Sequence, residues 1–292
     1  MKKRKIDVAV ISDLHLGTRD CRADELLAYL SSIRPDTLVL NGDIIDLYDF
    51  KRQFFPPSHF KVLRKILGMA ATGTRVYYLT GNRDTMLRKF GDVDIGNVHL
   101  RTKLLLELDG RKTWCFHGDI LDSAGKSARL ASKFGATGYN LLLQLNNFRD
   151  LIFNILGKER FSLASRVSRQ DPAASRRARI FEGTAANLTI RNHYDTVICG
   201  HIHLPKKEWI ETEKGKCLYL NSGDWTENLT ALEYAFKRWK LYRYNEDKLS
   251  AFFADEELKE MDMNELINHI LAKKARGLQK DTEHAAPEGS DD

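Results

Sequence analysis

The sequence predicts a layered α/β fold around a buried sheet. Three observations carry the prediction. Short, continuously apolar runs alternate with segments of helical periodicity through the first 120 residues or so, as in strands covered on both faces by helices. Polar motifs sit where several of those runs end, the edge of such a sheet at which ligands bind. The chain has 292 residues, 42% of them hydrophobic, enough for one sizeable core.

In chain order, IDVAVIS (6–12) is a strand, ADELLAYLSSI (23–33) a helix and TLVLN (37–41) a strand. HFKVLRKILGMA (59–70) is a helix, and RVYYLT (75–80) and RKTWCFH (111–117) are strands. From about 123 to 192 the chain turns helical and rich in lysine and arginine. The run TVICG (196–200) returns to the sheet, and KEWIET, KCLYLNSGD and TALEYAF with WKLYRY read as antiparallel strands closing the core. MNELINHILAKKARG (263–277) has amphipathic helical spacing, and the end, QKDTEHAAPEGSDD, has the polarity of a disordered tail. This gives one domain over residues 1–250, with a helical insertion at about 123–192, and a C-terminal helix and tail over 251–292.

Composition narrows the setting. With 29% charged residues and no run of 18 apolar ones, no membrane-spanning helix is expected. The basic start MKKRK is followed by too short an apolar stretch, interrupted by Asp7 and Asp13, so it reads as a first strand and not as an export signal. Cys21, Cys115, Cys199 and Cys217 include no CxxC pair, and a reduced, cytoplasmic setting is the expectation. The net charge of +6 fits either a solvated basic surface or attraction to an anionic partner.

The polar motifs are SDLHL, NGDIID, TGNRD, FHGDI and CGHIH. They supply Asp13, His15, Asp43, Asn82, His117, His201 and His203. Oxygen and imidazole donors together suit borderline divalent ions such as Mn²⁺, Fe²⁺ or Zn²⁺. Seven donors exceed one ion's needs and match two ions sharing a carboxylate, about 3.5–4 Å apart. In an extended segment, Asp-x-His and His-x-His would each put both donors on one side. The remaining histidines, His59, His99, His193, His269 and His284, lack such context and are expected to be surface or structural.

On these motifs the chain resembles the calcineurin-like metallophosphoesterases, whose pattern runs D-x-H, G-D, G-N-H-[D/E], H and G-H-x-H. Residues 13–15, 42–43, 81–84, 117 and 200–203 match in order, and the resemblance spans roughly residues 6–240. It implies a four-layer αββα sandwich of two mixed sheets flanked by helices, with the insertion as a helical lid. It implies that Asp13, His15, Asp43 and His203 hold one ion, and that Asp43, Asn82, His117 and His201 hold the other, Asp43 bridging. Asp84, Asp119 and Asp122 would orient these ligands. Residues 42–48 read GDIIDLY, unlike the G-D-x-x-D-R-G of the protein-phosphatase branch.

One position departs from the pattern. Where the family has a histidine able to protonate a leaving alkoxide, this chain has Arg83. A guanidinium keeps its proton at any working pH and makes forked bonds to phosphate oxygens. Arg83 therefore favours a leaving group that needs no proton, such as a phosphate monoester departing from a diphosphate. The alternative is that another residue or a water supplies the proton.

The G-N-R-D variant resembles one branch of the family, the UDP-2,3-diacylglucosamine diphosphatases of lipid A synthesis. That resemblance implies cleavage to UMP and 2,3-diacylglucosamine 1-phosphate, usually with Mn²⁺. It implies a nucleotide-linked glycolipid as partner, no nucleic acid, and a cytoplasmic protein that can sit peripherally on the inner membrane. In YNLLLQLNNFRDLIFNIL (139–156), 11 of 18 residues are apolar. Leu141, Leu145, Phe148, Ile152, Ile155 and Leu156 form one helical stripe, widened by Leu142 and Phe153. Such a stripe can line an acyl pocket, touch a membrane or pack against the domain. Arg176 and Arg177, in the basic run 168–179, are candidates for contact with an anionic substrate or members of a solvated helix face. A nuclease or nucleotide phosphodiesterase using the same ions is the alternative activity.

Overall fold

The computed structural model describes residues 3–46, 54–121 and 172–247. Twelve strands and three α-helices follow in the order β1 (Arg4–Ile11), α1 (Ala23–Ser32), β2 (Ile33–Asn41), α2 (Pro57–Ala71), β3 (Arg75–Leu79), β4 (Val93–Ile95), β5 (Val98–Arg101), β6 (Leu104–Leu108), β7 (Arg111–Cys115), α3 (Pro172–Arg191), β8 (Thr196–Cys199), β9 (Lys206–Thr212), β10 (Gly215–Asn221), β11 (Thr230–Ala235) and β12 (Arg238–Arg243). They form a seven-stranded sheet ordered β12-β11-β1-β2-β3-β5-β4 and a five-stranded sheet ordered β6-β7-β8-β10-β9.

Side-chain alternation along the strands explains the layers. Val8 and Val10 of β1, Val39 of β2 and Leu79 of β3 point between the sheets, where they meet Cys115, Ile198, Leu218 and Leu220 of the second sheet. Their neighbours Ala9, Ile11, Leu38, Leu40 and Val76 point the other way, onto Leu26, Leu30, Val62 and Ile66 of α1 and α2. On the far side, Trp114, Val197, Cys199, Cys217 and Tyr219 pack on Phe181, Ala185 and Leu188 of α3. The result is the expected four layers, αββα. Strands with two apolar faces read as unbroken apolar runs, which is why β1, β2 and β8 were legible.

Several boundaries differ from the sequence expectations. Strand β2 starts at Ile33, directly after α1, and Pro35 pairs alongside Ile6. A proline near a strand's start costs little, so it does not mark the break that its identity suggests. Strands β4, β5 and β6 have no counterpart among the expected elements. They are three to five residues long with half-exposed patterns, too short for a periodic signal. Strand β10 is not purely antiparallel: it pairs antiparallel with β9 but parallel with β8. The chain runs from β8 to the edge strand β9 and returns between them.

Of the interval 123–192, residues 172–191 form α3, which packs on the second sheet. The apolar stripe at 139–156, Asp122, and the C-terminal segment from 248, with His269 and His284, lie outside the described residues. No helix among the described residues is long and apolar enough to cross a membrane.

Candidate metal centre

The loops after β1 and β2 continue side by side beyond the sheet. The amides of Asp13, His15 and Leu16 donate to the carbonyls of Gly42, Asp43 and Ile44. The His117 carbonyl accepts from the Gly200 amide in the second sheet. Two polar stitches join the sheets just below. Ser12 Oγ lies 2.7 Å from Ser222 Oγ, and Asn41 Nδ2 donates to the Phe116 carbonyl at 3.3 Å. Both strand-end sets therefore face one place.

The seven residues taken from the motifs converge there in two groups. Asp13, His15 and His203 have one donor atom each within 4.8 Å of the others, and so do Asp43, His117 and His201. Asn82 joins the second group, its Oδ1 3.3 Å from His117 Nε2. All except Asn82 and His203 are buried. One expectation is corrected: Asp13 (φ 53°), His15 (φ 50°), His201 (φ 66°) and His203 (φ 53°) are left-handed, not extended. His201 and His203 serve different groups, as the resemblance implies, while Asp13 and His15 share one. Asp43 is left-handed too (φ 53°). Each such residue costs on the order of 1–3 kcal/mol, held in place by the surrounding loops.

The donor set fits cations. His117 Nδ1 donates to the Asn41 carbonyl at 2.9 Å, which leaves Nε2 as the lone-pair nitrogen of a neutral ring. That nitrogen faces Asp43 Oδ1 at 3.4 Å and Asn82 Oδ1 at 3.3 Å. Asp13 Oδ1 is buried 3.1 Å from His203 Nε2. His203 Nε2 lies 3.4 Å from His15 Nε2. Electron pairs crowded together in this way call for positive charge. Without ions, protons answer the same need. Burial opposes charge on His117, yet Asp43 and Asp13 outweigh it and push the imidazole up to about 10. Burial likewise opposes charge on His203, but Asp13, Asp224 and Asp43 raise it to about 9. Asp13 and Asp43, despite burial, are held below the ordinary carboxylate range by these histidines.

Glycines allow the close approach. A Cβ on Gly42 would overlap the His117 ring, and one on Gly81 would overlap the Asp43 carboxylate.

Around the donors stand residues that fix them. Asp84 Oδ2 accepts from the Ile44 amide at 3.0 Å and the Tyr78 hydroxyl at 2.7 Å, and Oδ1 from the Gly81 amide. Burial and the charge of Asp43 push it up to about 6. Asp119 forms a two-oxygen pair with Arg88 (3.0 and 2.9 Å), which also binds Thr80. The Arg83 amide donates to Asp43 Oδ1 at 2.7 Å, while its side chain is 30% exposed. Arg176 and Arg177 lie exposed in the first turns of α3, one to two turns before Phe181, whose ring is 6.2 Å from that of His201.

Sequence reasoning missed Asp46, Arg88, Asn41 and Asp224. Asp46 could have been found, because it closes the NGDIID motif in the same loop as Asp43. Arg88 carried no signal, since a lone arginine after a loop looks solvated. Of the remaining histidines, His59 is buried and structural: its Nδ1 accepts the Gly17 amide at 3.0 Å. His99 stacks on Tyr77.

An αββα sandwich with two clusters of carboxylate, amide and imidazole donors at its strand ends defines a metal-dependent phosphoesterase. The chain belongs to the calcineurin-like phosphoesterase family, whose profile matches residues 6–205. It is similar to the UDP-2,3-diacylglucosamine hydrolase of Pseudomonas paraeruginosa, 25% identical over 240 residues that cover 78% of this chain and 95% of that protein. The corresponding hydrolase of Stenotrophomonas maltophilia is 26% identical over 243 residues, covering 79% and 96%. Among solved structures, a dimetal phosphatase from Danio rerio superposes with a TM-score of 0.42 at 11% identity, covering 81% of this chain and 95% of that one.

Proposed function

We propose that the chain is a dinuclear metal-dependent hydrolase that cleaves the diphosphate of UDP-2,3-diacylglucosamine to UMP and 2,3-diacylglucosamine 1-phosphate. The observation that carries this reading is Arg83. Its amide donates to Asp43 Oδ1, and its partly exposed guanidinium lies 3.7 Å from Asp46 beside the donor groups. The relatives that bear the name of this substrate's hydrolase, matched over most of their length, support the same choice.

In this reading Asp13, His15 and His203 would hold one divalent ion, Asn82, His117 and His201 would hold the other, and Asp43 would serve both. Mn²⁺ is the first candidate and Fe²⁺ or Zn²⁺ the others. When bound, such ions activate water and neutralise phosphoryl charge. The chain's own residues do the rest. Asn82 and Arg83 hold the oxygens of the attacked phosphoryl group, and charge-assisted forked bonds strengthen as charge builds on them. Whichever phosphorus is attacked, the group that leaves is a phosphate monoester that needs no proton, so Arg83 suffices where an alkoxide would demand an acid. Arg176 and Arg177, exposed in the first turns of α3, are the candidates for contact with a second anionic part of the substrate. Such a glycolipid substrate would suit a cytoplasmic protein in peripheral contact with the inner membrane's surface.

The test is turnover of UDP-2,3-diacylglucosamine by the full chain with Mn²⁺, followed by phosphorus NMR beside bis-p-nitrophenyl phosphate. Release of UMP much faster than hydrolysis of the generic diester is expected. Turnover of the diester without UMP release would overturn the substrate and favour a nucleotide phosphodiesterase or nuclease.

A further inference from the structure

Asp46 lies outside the seven metal donors, yet it is among the most enclosed carboxylates of the site, its side chain 3% exposed. One oxygen faces two groups of different function. Oδ2 is 3.4 Å from His15 Nδ1 and 3.7 Å from Arg83 Nε. Its backbone is pinned as well, because the Asp46 amide donates to the Leu16 carbonyl at 2.8 Å. The main chain that carries the carboxylate is therefore held within the paired loops after β1 and β2.

We infer that Asp46 is a positioning residue that couples the phosphate-contacting Arg83 to the metal-ligating His15; this rests on the proposed role of Arg83. The geometry gives each half a reason. A carboxylate accepts only, so His15 Nδ1 donates to it, and Nε2 is left as the lone-pair nitrogen turned toward Asp13 and His203. The guanidinium meets Asp46 through Nε. That 3.7 Å ion-pair contact draws the Nε edge toward Asp46 and leaves the edge formed by the two terminal amino groups, a fork whose shape matches two phosphate oxygens, for substrate. A lysine at 83 would have no such edge to anchor. Because a single oxygen serves both partners, a change at one alters the hold on the other.

The test is a double-substitution cycle of Asp46→Asn and Arg83→Gln in the full chain. It reads KM and kcat for UDP-2,3-diacylglucosamine and for bis-p-nitrophenyl phosphate, and Mn²⁺ affinity by titration calorimetry. Asp46→Asn is expected to weaken Mn²⁺ binding about tenfold or more, the usual effect of removing a ligand's supporting carboxylate. It is also expected to raise KM by a larger factor when Arg83 is present than when Gln replaces it, because groups sharing a partner are not additive. Equal factors in both backgrounds, or unchanged Mn²⁺ affinity, would overturn the coupling. If the wild-type chain does not cleave the diphosphate, the proposed substrate fails while the cycle is still read on the generic diester. If Asn at 46 prevents folding, Asp46→Glu is read instead. Weakened Mn²⁺ binding together with a KM change that is larger when Arg83 is present then supports the coupling, and any other result overturns it.

Discussion

Left-handed backbone at Asp13, His15, Asp43, His201 and His203 shows how the site uses local cost to aim side chains. The sequence showed which residues would meet, because Asp-x-His and His-x-His at strand ends are legible as text. It did not show how, because alternation describes extended chain and these residues are turned. The supporting residue His59 illustrates the other limit. It looks like any helix histidine, yet it is buried against the edges of Phe54 and Phe55 and accepts the Gly17 amide. Burial lowers its proton affinity, partly offset by Asp24. The unfolded chain then binds this proton more tightly than the folded one, so the contribution is intact above the ordinary histidine value of 6.5 and is lost as pH falls below it. Urea midpoints at pH 7.5 and 5.5 should therefore draw closer together in His59→Gln, which keeps an acceptor without the titration. An unchanged gap would contradict this account.

At the scale of elements, the loop following β3 is tied to the loop following β7 by Arg88. It binds Thr80 on one side and both oxygens of Asp119 on the other, with both charged side chains almost wholly enclosed. Removing one partner strands the other charge in the interior. Arg88→Met should destabilise the fold by about 3–5 kcal/mol, measured by urea denaturation. Adding Asp119→Leu should recover part of that loss, and additive losses would argue that the pair does not act as a unit. The same element scale separates what was legible from what was not. Strand β8, TVIC, is buried at every position and announces itself, whereas β4 and β5 are short and half-exposed and exist through pairing with β3 and with each other. Pairing of that kind is a tertiary fact that no local pattern carries.

Over the whole molecule, two sheets with different strand orders are pressed together so that the ends of β1, β2, β3, β7 and β8 open at one edge. The inter-sheet residues Val10, Val39, Ile198 and Leu220 are fully or nearly fully buried, and their packing sets the distance between the two halves of the donor set. Leu220→Ala should cost about 2–5 kcal/mol and lower activity beyond the loss of folded protein, a comparison made by active-site titration with Mn²⁺. Loss of folded protein alone would confine Leu220 to stability. The proposed dinuclear site, with Asp43 common to both ions, is tested by the number of Mn²⁺ ions bound per chain, by equilibrium dialysis and elemental analysis, in the wild type and in Asp43→Ala. Two ions per wild-type chain are expected, with binding weakened at both sites and turnover abolished by the substitution. One ion or none in the wild type, or full turnover in Asp43→Ala, would rule the site out.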